Sequence, residues 1–127
     1  MRDKVTKGSS PKEETTIYDI GKISVKAGNT IIVLSVIKIT AIYSQDQYRV
    51  ICYDKERIFI RESLNSLAQK LPNYFIKIQR STLINLTFLK IVHQINSGYE
   101  VILEDYFESS FQISRSRVGP FFKTLGK

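Results

Sequence analysis

A mainly β chain, built from elongated antiparallel β-sheets with one short helix near residues 63–71 and a second short helix near the C-terminus, is expected from three features of the sequence. From Tyr18 onward, β-branched and aromatic residues come in short runs, recurring at roughly ten-residue spacing, as all-β chains do. Polar and turn-forming residues punctuate those runs. Only two segments depart from the pattern, so strands do not alternate with helices as parallel βαβ units require.

In chain order, runs at 23–26 and 30–34 flank Ala27-Gly28-Asn29, which suits a tight hairpin. Runs at 39–43 and 48–53 are separated by Ser44-Gln45-Asp46-Gln47, a polar loop, and Tyr53-Asp54-Lys55-Glu56 then turns into the run 57–61. Leu64, Leu67, Ala68 and Leu71 fall at i, i+3, i+4 and i+7, one face of a helix. Ser63 is its expected N-cap and Pro72 its stop. A long run, 86–95, precedes Asn96-Ser97-Gly98 and a further run at 99–103. A turn near Glu104-Asp105 leads into a last run at 107–114. Phe121, Phe122 and Leu125 suggest the second short helix, with Pro120 tolerated only in its first turn.

Residues 1–16 mix Lys, Glu, Ser, Thr, Gly and Pro with hardly any apolar content. A segment that buries so little surface does not offset its ordering entropy, so a flexible tail or linker is expected ahead of one domain, 17–127. The 43% hydrophobic content is enough for a core. No apolar stretch approaches the roughly 18 residues of a membrane helix, and the N-terminus lacks the apolar core of a secretory signal. A reduced cytoplasmic location is the default expectation, with no membrane partner.

The chemistry expected is meagre. One Cys forms no internal disulfide, and one His with one Cys leaves no Cys/His metal cluster. His93 sits in a strand-like run and reads as a surface or half-buried residue, and Cys52 in Val50-Ile51-Cys52-Tyr53 reads as a small buried hydrophobe. Glu100, Glu104, Asp105 and Glu108 match no calcium loop and read as an acidic face turned away from a partner. No phosphate-cradling Gly loop is present. Neither an enzyme, a cofactor, a metal nor a small-molecule substrate is expected. The 19 Lys+Arg against 12 Asp+Glu, a net charge of +7, point instead to a polyanion.

The cations and amides gather at strand ends: Gln45, Gln47, Tyr48 and Arg49 in one loop, Lys77, Gln79 and Arg80 after Phe75-Ile76, and Ser114, Arg115, Ser116 and Arg117 after the last strand. Guanidinium groups mixed with neutral donors are the combination that reads base edges and grips phosphates.

The strings themselves carry a resemblance. Phe75-Ile76-Lys77-Ile78-Gln79-Arg80-Ser81-Thr82-Leu83-Ile84-Asn85 closely resembles the signature of the LytTR DNA-binding domain, commonly aromatic-Ile-Arg-Ile-His-Arg-Ser-aromatic-Leu-Val-Asn. Arg61-Glu62-Ser63-Leu64-Asn65-Ser66-Leu67 with Leu71-Pro72 resembles the family's R-x-S-L-x-x-L … L-P helix. Ile113-Ser114-Arg115 resembles its terminal Ile-Ser-Arg, and Lys38-Ile39-Thr40-Ala41-Ile42 followed by Tyr48 its I-x-x-I … Y strand pair.

The resemblance, which spans roughly residues 22 to 125, implies a bacterial transcription-factor output domain, usually C-terminal to a phosphorylatable receiver in a two-component response regulator. Such domains insert loops into successive major grooves of double-stranded DNA, and pairs of protomers occupy tandem repeat sites. By motif position, base reading falls to Tyr48, Arg80 and Arg115. Phosphate contacts fall to Arg49, Lys77, Ser81, Ser116 and Arg117, with Gln47 and Gln79 on the same loops. Ser63, Leu64, Leu67 and Leu71 are assigned to packing, and Asn85 to pinning a turn.

Gln79 replaces the family's usual His, Lys77 its Arg and Thr82 its aromatic, and Gly119-Pro120 interrupts the C-terminal stretch. Lys lacks the bidentate phosphate contact of Arg. Two other functions compete on the residues alone. One is a protein-interaction module docking an acidic partner. The other is a small β-barrel stacking single-stranded nucleic acid on Tyr43, Tyr48 and Tyr53.

Overall fold

The computed structural model describes residues 14–126. The tail expected over 1–16 lies outside the described residues apart from Glu14, Thr15 and Thr16, which lead into a 3-10 turn at Ile17–Ile20.

The strands are β1 (Lys22–Ala27), β2 (Thr30–Ser35), β3 (Ile39–Gln45), β4 (Tyr48–Tyr53), β5 (Glu56–Ile60), β6 (Phe75–Gln79), β7 (Thr82–Asn85), β8 (Leu89–Ile95), β9 (Gly98–Leu103) and β10 (Ser110–Ile113). Two short helices, α1 (Leu64–Lys70) and α2 (Val118–Thr124), complete the framework. The fold is mainly β, and every strand pair is antiparallel.

The strands form three sheets: the β1–β2 hairpin, a five-stranded sheet ordered β5-β4-β3-β7-β6, and a three-stranded sheet ordered β10-β9-β8. The five-stranded sheet is the middle layer. On one face the hairpin and α1 bury Ile23, Val25, Leu34, Leu64 and Leu67 against Ile39, Ile42, Ile51 and Leu83. On the other, the three-stranded sheet and α2 bury Val101, Leu103, Ile113 and Phe121 against Ala41, Cys52, Ile78 and Ile84. Burial on both faces explains why the central strands read as near-continuous apolar runs rather than clean alternation. A register shift between Ile39 and Ala41 lets Ile39 and Ile42 share one face although three positions apart, which a regular period-2 strand would forbid.

Boundaries differ from expectation for local reasons. Asp46 takes a left-handed φ of 56°, so the expected four-residue loop contracts to Asp46-Gln47, and Gln45 pairs with Tyr48. The long run 86–95 splits into a 3-10 turn, Leu86–Phe88, and β8, because Asn85 caps the turn by accepting from Thr87 N at 2.9 Å. The hairpin β6–β7 was not among the expected strands: it lies inside the motif string, where four polar residues from Gln79 to Thr82 occupy a turn. The last run shortens to β10.

Helix α1 starts where expected: Ser63 Oγ accepts from Ser66 N at 3.1 Å. Gly119 and Pro120 do not break α2. They occupy its first turn, where Pro needs no intrahelical donor.

Candidate nucleic-acid interface

Strand directions place the three cation-bearing loops at one end of the sheets. β3 ends and β4 begins at Asp46-Gln47, β6 ends and β7 begins at Arg80-Ser81, and β10 ends at Ile113 just before Arg115. Because β3 lies between β4 and β7, the first two loops are neighbours, and Ser44 N donates to Ser81 O at 2.9 Å between them. Ser114 N donates to Ile78 O at 2.9 Å, which fastens the β10 exit to β6. Gln79 Nε2 donates to the Gln112 carbonyl beside that link, and Thr82 Oγ1 donates to Gln79 Oε1 at 3.3 Å.

Arg80 and Arg115 are both exposed and line one open concavity of about 810 Å³, together with Gln79, Ser81 and Ser114. Its floor includes Ser97 and Gly98 of the β8–β9 turn. Lys77, Ser116 and Arg117 line an adjacent recess with Phe121 of α2. Lys77 Nζ also donates to Asn65 Oδ1 of α1 at 2.9 Å, so its ammonium is held but not neutralised. Arg49 is half-buried and donates from Nη1 to the Tyr48 carbonyl at 3.0 Å. Gln47 is exposed at the tip of its turn.

Tyr48 opens β4 against the end of β5. Arg49 pairs with Ile60 and Val50 with Phe59, so Tyr48, Phe59 and Arg61 project from one face of that strand pair. The Tyr48 and Phe59 rings meet edge to face at 6.1 Å, and the Arg61 guanidinium lies 5.3 Å from the Tyr48 ring centroid. Arg61 Nη2 donates to Tyr48 Oη at 3.5 Å. Hydrogen bonds from Arg61 and then Gln47, with the Arg61 charge, hold the phenol below its ordinary pKa. Arg61 is the residue sequence reasoning missed, being read only as the start of the helix motif. Counting outward from the Asp54-Lys55 turn would have placed it across from Tyr48.

The other end of the sheets carries Glu104, Asp105 and Glu108 after β9. Asp105 has a structural role, accepting from Thr40 Oγ1, Ser109 Oγ and Ser109 N, each at 2.8 Å. Glu100 differs, lying mid-strand on β9 opposite His93 and Gln112. His93 is exposed on β8. Cys52 is buried, and desolvation, with the Asp105 charge second, pushes its thiol up to about 11. Of the three aromatics a stacking reader would use, Tyr43 packs on Phe111 with centroids 5.8 Å apart, and Tyr53 Oη accepts from Ser35 N at 2.9 Å. Asn85, fully buried, accepts from Thr87 N at 2.9 Å, which pins the turn after β7 as expected, and also donates from Nδ2 to the Ile39 carbonyl of β3 at 2.9 Å. Among the described residues no His, Cys, Asp and Glu cluster is suited to a metal ion, and no helix is long and apolar enough to cross a membrane.

Comparison with known proteins bears on the same surface. No curated protein matches the chain. Among solved structures, the LytTr DNA-binding domain of a methyl-accepting/DNA response regulator from Bacillus cereus is similar, with a TM-score of 0.71 at 19% sequence identity, over 84% of this chain and 98% of that one. That likeness establishes a shared fold. The family model of the LytTr DNA-binding domain matches residues 29–126, a span that holds all three loops and both helices. A fold, a motif set and a family model that coincide over the same residues leave one assignment: the chain belongs to the LytTR family of DNA-binding domains.

Proposed function

We propose that the chain reads duplex DNA in a sequence-specific way, with loops rather than a helix entering the major groove, and that this reading serves transcriptional control in the bacterial cytoplasm. The observation that carries the proposal is that Tyr48, Arg80 and Arg115 stand on three separate loops at one end of the sheets, Arg80 and Arg115 in one concavity and Tyr48 in another beside the β1–β2 turn. Glu104, Asp105 and Glu108 lie at the opposite end, so that acidic cluster is turned away from the cationic loops, whose tips carry the carboxylate of Asp46 beside the guanidinium groups.

Tyr48, Arg80 and Arg115 are the base readers in this reading, since a guanidinium offers a bidentate fit to guanine O6 and N7. Arg49, Lys77, Ser81, Ser116 and Arg117 grip phosphates, with Gln47 beside them. Gln79 belongs to the frame of the site, because its amide already bridges Gln112 and Thr82. The neighbouring loops share one end of a protomer, so two protomers on tandem repeats suit a longer site. The output domain of a two-component response regulator is the setting proposed for it.

Selection from a random duplex library tests the reading. An enriched motif, with affinity falling at about 0.9 log units per log unit of salt for each phosphate neutralised, is the expected result. A library that returns no enriched duplex overturns it.

A further inference from the structure

We infer that Arg61 is a positioning residue that fixes the hydrogen-bond polarity of Tyr48, so that its phenol meets DNA as a donor and the contacted base must present an acceptor. The inference rests on the reading of Tyr48 as a base contact and states what that contact accepts.

A free tyrosine hydroxyl both donates and accepts, and so discriminates poorly among base edges. Here the oxygen is not free. The Arg61 guanidinium donates to it at 3.5 Å while lying over the ring, 5.3 Å from the centroid. Phe59 closes the adjacent ring edge. A cation beside the oxygen orients the O–H dipole away from itself, and occupancy of an oxygen lone pair leaves the proton as the group offered outward. Gln47 biases the same oxygen in the same sense, and the phenol pKa is lowered accordingly.

In the major groove, guanine N7 and O6, adenine N7 and thymine O4 are acceptors, whereas cytosine offers only its amino group. Tyr48 therefore disfavours cytosine at the position it touches. Arg61 is exposed and lies beyond the last residue of β5, so its replacement leaves both cores intact.

The test measures binding of the intact chain to duplexes that vary one base at a time across the selected motif. The four proteins are wild type, Tyr48→Phe, Arg61→Met and Arg61→Lys. The expected result is one position where wild type rejects cytosine by about fivefold, the worth of one neutral hydrogen bond. Tyr48→Phe and Arg61→Met both level that position, and Arg61→Lys, which keeps the cation, restores part of it. If Tyr48→Phe levels the position and Arg61→Met does not, the positioning role is overturned while the base contact stands. If Arg61→Met weakens all duplexes equally and lowers the salt slope by about one, Arg61 grips a phosphate instead. If Tyr48→Phe alters no position, the base contact itself fails and the inference falls with it.

Discussion

Thr82 Oγ1 donates to Gln79 Oε1 at 3.3 Å across the β6–β7 turn, and so joins two residues that both depart from the family's usual string. With its oxygen held by Thr82, the Gln79 amide presents its nitrogen to the Gln112 carbonyl on β10. The hydroxyl that stands in place of an aromatic and the amide that stands in place of an imidazole thus form one bridge between the middle sheet and the three-stranded sheet. Because the bridge is a chain of bonds, Thr82→Val and Gln79→Ala are expected to be non-additive, with a coupling on the order of 0.5–1 kcal/mol in a double-mutant cycle of stability. Both variants should keep the base preference of the wild type. A changed preference in Gln79→Ala would place the amide on DNA rather than in the frame.

Arg80 and Arg115 line the same concavity but arise from different loops. Replacing either with Ala should cost about 1–3 kcal/mol on the preferred duplex and flatten discrimination at different positions of the motif. Lys77→Ala should instead weaken all duplexes by a similar factor and lower the salt slope by about one. Competition titrations against a scrambled duplex at several salt concentrations separate the two behaviours, and a uniform loss in the Arg80 variant would remove it from the base readers.

Asn85 is 0% exposed, with its amide bonded to the Ile39 carbonyl and its oxygen shared by Thr87 N and Oγ1. Asn85→Ala strips a partner from the buried Ile39 carbonyl and removes the cap on exposed Thr87, so a loss of roughly 1–3 kcal/mol is expected, set mainly by the unmet buried carbonyl. Chemical denaturation measures it. A loss below about 0.5 kcal/mol would mean that water replaces the amide without penalty.

The Cys52 thiol, ordinarily at 9.0, stands at about 11 in the fold. Below pH 9 both folded and unfolded chains keep the proton and the contribution is fully present. As pH rises from 9 toward 11 the unfolded chain ionises first, so stability falls. Each pH unit of that interval contributes about 1.4 kcal/mol. Between pH 8 and 10.5 the wild type should lose roughly 2 kcal/mol more than Cys52→Ala, measured by urea unfolding of both. Equal losses would show that the buried thiol is not the group responsible.

The cores are close-packed around single side chains. Leu67, fully buried on α1, contacts the first core, and Leu67→Ala should cost about 2–5 kcal/mol. Ser63→Ala, which removes only the cap to Ser66 N, should cost about 1 kcal/mol. Thermal melts that rank the two in the opposite order would contradict this account of α1.

Much of the architecture was legible in short-range pattern. The Gly28-Asn29 turn, the i, i+3, i+4, i+7 stripe with its Ser63 cap, and the β-branched runs each encode structure within about ten residues, where side-chain spacing and turn chemistry act directly. The family strings named the candidate residues of the site, and the turn-pinning role expected of Asn85 agrees with its hydrogen bonds. Less legible was the β6–β7 hairpin, because its polar turn from Gln79 to Thr82 sits inside a string read as a binding motif. The split of 86–95 was equally hidden, since apolar residues serve a 3-10 turn as well as a strand and the cap that divides them is the buried side chain of Asn85.

Sequence pattern alone established an antiparallel β chain with cationic loops and the helix that follows β5. Which loops stand together was settled by tertiary pairing. The strand order β5-β4-β3-β7-β6 sets the Asp46-Gln47 turn beside the Arg80-Ser81 turn, and the bond from Ser114 N to Ile78 O brings Arg115 to the same end. Arg61 meets Tyr48 by the local register of the β4–β5 hairpin instead, counted outward from its Asp54-Lys55 turn. Order and register are long-range properties, fixed by burying both faces of a middle sheet at once, and no local periodicity records them.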